Sequence, residues 1–301
     1  MKGIDKKKTS VGVIGLGFMG SAISGHIVAA GFPLIGFDIA RERVEMLIAK
    51  GGRAAPSARE VAKKAQIVLT SLPSLAAFED VIWGKKGILS SKRDGLVVME
   101  CSTLAIEDKQ RAHDDLHAAG MIMLDCPISG GIRAAEKDLV LYGSGRKKMY
   151  DRCLPVIDSF ARANYYLGEF GNGMKMKALA NLLVAIHNVS SAEMMVLGMK
   201  AGLDPELIYT VMNNSSGRSR MLEVRGVRMV KDDYDNPSMK VKVFQKDLKI
   251  IESFAAGLNC PTPLFASTNQ VYLSALAMGL GDKDTASVCA VLEKWAQLKR
   301  K

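Results

Sequence analysis

Short apolar segments alternate with longer segments of helical periodicity over the first half of this 301-residue chain. Helical patterns are present, for example, over residues 41–50, 57–64, 75–82, 105–118 and 146–160. The apolar segments between them have the length of buried β-strands and cover residues 10–15, 33–38, 66–70, 96–100, 121–125, 138–143 and 163–167. This alternation predicts a doubly wound, mostly parallel sheet with helices on both of its faces.

The pattern changes near residue 170, after which no segment has the character of a strand. A long apolar pattern over residues 174–201 predicts one helix, and further helices are predicted at about 205–214, 240–256, 262–279 and 284–299. The sequence therefore predicts an α/β domain over residues 1–168. An all-α domain, beginning with a long interdomain helix, is predicted over residues 169–301.

The turn between the first predicted strand and the first predicted helix has the sequence Gly15-Leu16-Gly17-Phe18-Met19-Gly20. A G-x-G-x-x-G turn in this position, with an acidic residue about 20 positions on, is typical of a dinucleotide-binding Rossmann domain. Gly15 permits the tight turn, Gly17 lets the backbone approach a pyrophosphate, and Gly20 lets the helix pack close to the sheet. The helix N-terminus then offers free N–H groups to the phosphates.

Asp38 ends the second predicted strand, where an acidic residue accepts hydrogen bonds from the ribose hydroxyls of an adenosine. Its charge would repel a 2′-phosphate, so NAD is favoured as the cofactor. Arg41 and Arg43 are close enough in sequence to weaken that preference, and NADP stays open.

Residues 11–37 are almost free of charge and follow Lys6-Lys7-Lys8, an arrangement that resembles a signal peptide or a membrane anchor. Seven glycines and Pro33 interrupt the run at the spacing of a strand–helix–strand unit. No small-residue cleavage site follows a compact apolar core. The composition therefore favours a folded domain, and we expect no membrane partner.

The chain is 48% hydrophobic and 24% charged, as soluble globular proteins are. Its net charge of +10 comes partly from basic residues at the two ends, and no basic stripe is interleaved with aromatic residues. We interpret this charge as attracting anionic small molecules rather than nucleic acid. The five cysteines are widely spaced, without a C-x-x-C pair or a metal-ligand cluster, so we expect a reduced, cytoplasmic protein without a metal.

Three further segments carry candidate chemistry. The segment from Asp125 to Gly131 follows a predicted strand and can offer N–H groups and a hydroxyl to a carboxylate, although an ordinary turn explains it equally well. Lys177 and Asn181 share one face of the long helix, where the alternative is a lysine whose tip reaches solvent. The third segment, Lys246-Asp247-Leu248, would by itself be an exposed charged pair.

Together these segments resemble the β-hydroxyacid dehydrogenase family, which includes 3-hydroxyisobutyrate dehydrogenases, tartronate semialdehyde reductases and threonate dehydrogenases. The resemblance extends from about residue 10 to 298. The family's substrate motif, D-x-P-x-S-G-G-x-x-x-A-x-x-G, matches as far as Ala135 and departs at Asp138, where glycine is usual. Its catalytic motif, G-x-G-x-x-x-K-x-x-N-N, matches except that Ala180 replaces the first asparagine. Glu100 also departs, because aspartate is more common there.

The resemblance implies that Lys177 is the general acid/base, which takes the hydroxyl proton as a hydride leaves for the nicotinamide. Asn181 would orient the substrate or the lysine. Burial and the nearby charge of Lys246 would favour the neutral amine that a base requires. The implied substrate contacts are Ser129, Gly130, Gly131 and Lys246. The implied cofactor contacts are Gly15, Leu16, Gly17, Phe18, Met19, Gly20, Asp38, Leu72, Pro73, Thr103 and Asp247.

The sequence therefore predicts a nicotinamide-dependent oxidoreductase acting on a small anionic 3-hydroxy acid or its semialdehyde, similar to 3-hydroxyisobutyrate, glycerate or threonate. Two alternatives stay open: an imine reductase of the same fold, which typically lacks the lysine, and a non-catalytic dinucleotide-binding scaffold. Arg218, Ser219 and Arg220 are predicted to lie in a loop and are candidates for binding a more polar substrate. The family resemblance also implies a homodimer or homotetramer.

Overall fold

The structure of the protein, a computed structural model, describes residues 5–300 apart from the side chains of residues 131–133. It contains two compact units: the first ends at Lys177 and the second begins at Ala178. Two clusters of buried apolar side chains belong to the first unit, and a third cluster belongs to the second unit.

The first unit contains a six-stranded parallel sheet and a smaller three-stranded sheet. The large sheet has the strand order β3-β2-β1-β4-β5-β6, and the small sheet has the order β7-β8-β9. The strands are β1 (Val11–Ile14), β2 (Leu34–Phe37), β3 (Arg53–Ala54), β4 (Ile67–Thr70), β5 (Val97–Glu100), β6 (Ile122–Asp125), β7 (Ile128–Ser129), β8 (Val140–Gly143) and β9 (Ala163–Tyr166).

Helices cover both faces of the large sheet, as the alternating pattern predicts. They are α1 (Phe18–Ala29), α2 (Arg41–Ala49), α3 (Ala58–Lys64), α4 (Leu75–Trp83), α5 (Ile106–Ala118) and α6 (Lys147–Phe160). In β1, Val11 and Val13 join the cluster that includes α1 and α6, whereas Ile14 joins the cluster that includes α3, α4 and α5. Side chains that alternate along a strand thus belong to two apolar cores, one on each face of the sheet.

The strands predicted at 138–143 and 163–167 are present, but they do not extend the large sheet. They form β8 and β9, which pair in parallel, and β7 pairs antiparallel with β8. Sequence analysis missed β3 and β7 because each has only two residues, too few to show a period.

The long helix α7 (Asn172–Lys200) runs from the first unit into the second. It is long and apolar enough to cross a membrane by length and composition alone. However, Asn188 on this helix is fully buried and donates hydrogen bonds to the hydroxyl of Tyr272 and the carbonyl of Thr285. We therefore interpret α7 as a helix of a folded core.

The rest of the second unit, over residues 201–300, contains helices and no β-strand. The helices are α8 (Pro205–Asn213), α9 (Arg220–Lys231), α10 (Val241–Gly257), α11 (Pro263–Ala277) and α12 (Val288–Trp295). The prediction that Arg220 lies in a loop is wrong, because Ser219 caps α9 by accepting a hydrogen bond from the N–H of Leu222 at 3.1 Å. Arg218 and Arg220 both pair with Glu223.

Gly20→Ala tests the close packing of α1 on the glycine turn. A Cβ atom at residue 20 would lie 1.9 Å from the carbonyl oxygen of Gly15, so the helix would have to move. We expect a decrease in Tm of about 5 °C or more and an affinity for NADH at least about tenfold weaker, measured by thermal unfolding and fluorescence titration.

Gly25→Ala in the same helix is the matched control. A Cβ atom there would meet only the end of the Lys50 side chain, at 3.8 Å. Because alanine is the better helix former, we expect an unchanged or slightly higher Tm and unchanged NADH affinity. Equal losses in the two variants would contradict the account.

Candidate active site

In the turn between β1 and α1, two glycines are required for packing and the third leaves an open surface. Gly15 has φ of +87°, and a Cβ atom there would lie 2.3 Å from the carbonyl oxygen of Ser71. Gly15 and Gly20 are therefore required by the packing of the turn itself. A Cβ atom at Gly17 would meet only a guanidinium nitrogen of Arg43, at 3.6 Å, so this part of the turn has an open surface.

The N-terminus of α1 suits an anion. No side chain caps it, and its first turn contains no acidic residue. Of the predicted contacts in this turn, Leu16 is buried, Phe18 is 61% exposed and Met19 packs against the core. The free N–H groups and the positive end of the helix dipole thus face the open surface at Gly17.

Asp38 closes the turn from the end of β2. Its carboxylate accepts hydrogen bonds from the N–H of Leu16 at 2.6 Å and from the N–H of Ala40 at 2.8 Å. The guanidinium of Arg43 lies 3.5 Å from the same carboxylate. The negative charge is thus fixed by backbone donors and partly offset by one cation.

The loops after β4 and β5 are tied to each other. The hydroxyl of Ser102 accepts a hydrogen bond from the N–H of Leu72 at 2.8 Å, and Glu100 accepts one from the N–H of Ser102 at 2.6 Å. The hydroxyl of Thr70 also donates to Glu100, which is fully buried. Burial raises the pKa of the Glu100 carboxyl, against the lowering effect of Lys109 and of these hydrogen bonds.

These loops belong to one edge of the large sheet. Pro73 follows β4, and Thr103 follows β5, so both lie at the carboxyl ends of parallel strands, as does Asp38 after β2. Open α/β sheets bind their ligands outside this edge. The predicted cofactor contacts Asp38, Pro73 and Thr103 therefore lie along one edge of the sheet.

The predicted carboxylate-binding segment, from Asp125 to Gly131, begins at the last residue of β6 and includes β7. Gly130 has φ of +103°, and a Cβ atom there would lie 2.2 Å from the carbonyl oxygen of Asp138. Gly131 begins the 3-10 segment Gly131–Glu136. Asp138, which replaces the usual glycine, pairs its side chain with Arg162 at 2.7 Å, so an ion pair accommodates this departure from the family motif.

Lys177 and Asn181 lie one turn apart on α7. They are 9% and 6% exposed, respectively, so both polar side chains are buried. Two residues earlier, Lys175 is exposed and hydrogen-bonds Asn172 at 3.0 Å. Lys175 is thus a solvent-facing lysine, in contrast to Lys177.

Within the second unit, Asp247 on α10 holds Asn181. The amide Nδ2 of Asn181 donates to Oδ2 of Asp247 at 2.9 Å, and Asp247 is 6% exposed. The ammonium of Lys246 lies 3.5 Å from Oδ1 of the same carboxylate. Sequence reasoning missed this contact because the residues are 66 positions apart, although the motif around Lys246 had singled out Asp247. The cofactor role of Asp247 stays a prediction.

The first turn of α7 packs against the ends of β6 and β8. Asp125 accepts a hydrogen bond from the N–H of Met174 at 2.7 Å, and the hydroxyl of Ser144 accepts one from the N–H of Gly173 at 2.9 Å. Asp125 also pairs with Lys109 at 2.8 Å, with both side chains fully buried. Sequence analysis assigned no role to Lys109 or Ser144.

Comparison with known proteins agrees with this geometry. Residues 10–168 match the family model described as the NAD binding domain of 6-phosphogluconate dehydrogenase. Residues 171–292 match the model described as "NAD-binding of NADP-dependent 3-hydroxyisobutyrate dehydrogenase". An L-threonate dehydrogenase from Haemophilus influenzae is 33% identical over 291 residues, which cover 96% of each chain.

The chain belongs to the β-hydroxyacid dehydrogenase family. A solved structure of 3-hydroxyisobutyrate dehydrogenase from Salmonella typhimurium is 31% identical, with a TM-score of 0.87 and coverage of 94% of this chain and 100% of that one. The fold class, the nicotinamide cofactor and the oxidoreductase class predicted from the sequence are thereby confirmed.

An imine reductase from Myxococcus stipitatus is also similar. It is 15% identical, with a TM-score of 0.64 and coverage of 95% of this chain and 99% of that one. At this identity the likeness shows the shared fold alone. It gives no support to imine reduction as the function of this chain.

Asp247→Ala tests the buried hydrogen bond to Asn181. Truncation leaves the amide of Asn181 without this acceptor, and we expect a loss of about 1–3 kcal/mol in the free energy of unfolding. Glu252→Ala is the matched control, because Glu252 is an exposed acidic residue on the same helix. Urea unfolding of both variants measures the difference, and equal stabilities would show that the hydrogen bond contributes nothing.

Proposed function

We propose that this protein transfers a hydride between NAD and a small 3-hydroxy acid with a free carboxylate, with Lys177 as the general acid/base. The observation that carries the proposal is the pair Lys177 and Asn181, both buried and one turn apart on α7. Burying a lysine and an amide in an apolar helix seam costs free energy unless they have polar partners. Their burial therefore supports a role in binding or catalysis. The relatives act on small hydroxy acids, which supports the same substrate class here.

The residues at the carboxyl edge of the large sheet fit a nicotinamide dinucleotide. The open surface at Gly17 and the uncapped N-terminus of α1 suit the pyrophosphate, and Asp38 suits the adenosine ribose. Leu72, Pro73 and Thr103 would line the nicotinamide half. When bound, the cofactor supplies the hydride acceptor for oxidation, or the hydride donor for reduction.

Each side chain then has a definite task. Lys177 takes the proton from the substrate hydroxyl during oxidation and returns it during reduction. Asn181 donates one amide hydrogen to Asp247, so its carbonyl and its other amide hydrogen are oriented for the substrate or for Lys177. Ser129, Gly130 and Gly131 hold the carboxylate through the hydroxyl and backbone N–H groups, and Lys246 adds positive charge.

NAD is the proposed preference over NADP. Asp38 is held by two backbone N–H groups, so its charge cannot swing away from a 2′-phosphate without breaking both hydrogen bonds. Arg43 gives NADP a partial compensation. We therefore expect the protein to use both cofactors, with NAD used better.

Three broader proposals accompany the reaction. The division into a cofactor domain, residues 1–168, and a helical substrate domain, residues 169–301, is supported by the bounds of the two family matches. A homodimer or homotetramer is supported by exposed apolar residues on α7, such as Leu179 and Leu183. A cytoplasmic location is supported by free thiols at all five cysteines.

Lys177→Met tests the reaction. Wild-type protein is given NAD or NADP with 3-hydroxyisobutyrate, glycerate, 4-hydroxybutyrate or threonate, and reduced nicotinamide is followed by absorbance. Because methionine cannot accept a proton, we expect kcat to fall by about 10²–10⁴-fold on the substrate that the wild type oxidises.

Lys175→Met is the matched control for that loss. It makes the same substitution two residues earlier, at an exposed position, and we expect kcat within about twofold of wild type. Full turnover by Lys177→Met on a confirmed substrate would refute the proposed role of Lys177.

Asp38→Asn tests the cofactor preference. Loss of the charge removes the repulsion of a 2′-phosphate, and we expect the ratio of kcat/KM for NADP to that for NAD to rise at least about tenfold. Arg43→Ala should lower that ratio. Arg41→Ala should leave it unchanged, because Arg41 is 91% exposed and pairs with Glu45. An unchanged ratio in Asp38→Asn would contradict the assignment.

A further inference from the structure

Asp125 is a buried carboxylate at the last position of β6. Its Oδ1 accepts a hydrogen bond from the ammonium of Lys109 at 2.8 Å, and its Oδ2 accepts one from the N–H of Met174 at 2.7 Å. The hydroxyl of Ser144 lies 3.3 Å from the same Oδ2. Because charged donors and backbone donors share it, this carboxylate is held in one orientation.

Lys109 is the cation that makes this burial tolerable. It lies on α5, is fully buried, and faces two carboxylates that pair in register at the ends of β5 and β6, Glu100 and Asp125. Burial alone would lower the pKa of Lys109, but the two carboxylates outweigh it and raise that pKa, so the amine is charged. The Asp125 carboxylate is therefore paired with a buried cation next to the start of α7.

The first turn of α7 approaches this carboxylate as closely as a backbone can. A Cβ atom at Gly173 would lie 2.5 Å from the carbonyl oxygen of Tyr142 and 2.9 Å from Oδ2 of Asp125. Gly171, just before the helix, has φ of +91°. The N–H groups of Gly173 and Met174 are then both taken by side chains of the sheet edge, Ser144 and Asp125.

Lys177 follows Met174 by three residues in the same rigid helix. At 1.5 Å of rise per residue, the amine-bearing residue is about 4.5 Å along the axis from the anchored N–H group. A shift or rotation of the first turn is therefore passed to Lys177 almost undiminished. A misplacement of about 1 Å in a reacting group can cost about 100-fold in rate.

We propose that Lys109, Asp125 and Ser144 are positioning residues for the proton transfer, because they fix the first turn of α7 and thereby the place of the Lys177 amine. The inference rests on the proposed function of Lys177. It assigns to Asp125 a task inside the first unit, in which its charge anchors the helix that carries the acid/base group. None of the three needs to touch the substrate.

Ser144→Ala tests this inference with little risk to folding. The variant loses one cap of α7, and we expect kcat to fall about tenfold with an unchanged Kd for NADH. The matched control is Ser57→Ala, which loses the equivalent cap of α3, a hydrogen bond from the N–H of Glu60 at 3.3 Å. Both variants should lower Tm by a similar few degrees, but Ser57→Ala should keep wild-type kcat.

The charge of Asp125 has its own test. Asp125→Asn and Lys109→Met should each lower Tm, because each removes one partner of the buried ion pair. The double variant removes both partners of this pair and leaves Glu100 without its cation, so we expect its Tm to recover in part while kcat stays at least about tenfold low. Recovery of kcat together with Tm would show a purely structural ion pair and overturn the proposal, as would equal kcat values in Ser144→Ala and Ser57→Ala.

All these variants are assayed as the full chain, on a substrate that the wild type turns over, beside Lys177→Met. If Lys177→Met keeps its activity, the proposed function itself is wrong, and this inference with it. If Lys177→Met is inactive while Ser144→Ala and the double variant have normal kcat, only the positioning role is wrong.

Discussion

Two helices that begin in the first unit, α1 and α7, start so close to other backbone that only glycine fits. The carbonyl oxygen of Gly15 would lie 1.9 Å from a Cβ atom at residue 20, and the carbonyl oxygen of Tyr142 would lie 2.5 Å from one at residue 173. This steric constraint brings two helix N-termini to the carboxyl edges of strands. The cofactor turn and the helix of Lys177 both depend on it.

Carboxylates at the ends of three strands complete that arrangement. Asp38 follows β2, Glu100 ends β5 and Asp125 ends β6, and each accepts a hydrogen bond from a backbone N–H group of a loop or helix start. Buried acceptors of this kind fix the loops before any ligand arrives. Preorganised groups need little rearrangement during the reaction, which is how a rigid scaffold contributes to catalysis.

The features that sequence predicts well are those set by neighbours along the chain. The glycine turn at residues 15–20, the strand periods, and the helical offset between Lys177 and Asn181 are all local patterns. The helix α9 was missed because Ser215, Ser216 and Gly217, residue types common in turns, lie just before its cap at Ser219.

The contacts that hold the site in place join distant segments. Lys109 reaches Asp125 across 16 residues, Asp125 reaches Met174 across 49, and Asn181 reaches Asp247 across 66. No periodic pattern encodes such pairs, and the three-dimensional fold alone brings them together. The ion pair of Asp138, which replaces the usual glycine of the family motif, is also not predictable from local sequence, because its partner Arg162 belongs to a different segment.

The central claim is that the amine of Lys177 moves the substrate proton. Chemical rescue tests it most directly: Lys177→Ala is assayed for reduced nicotinamide formation with increasing concentrations of methylamine, ethylamine or propylamine. The account predicts an inactive variant whose rate rises in proportion to an amine small enough to fill the space left by the lysine side chain. Wild-type turnover without any amine, or a lost activity that no amine restores, would contradict it.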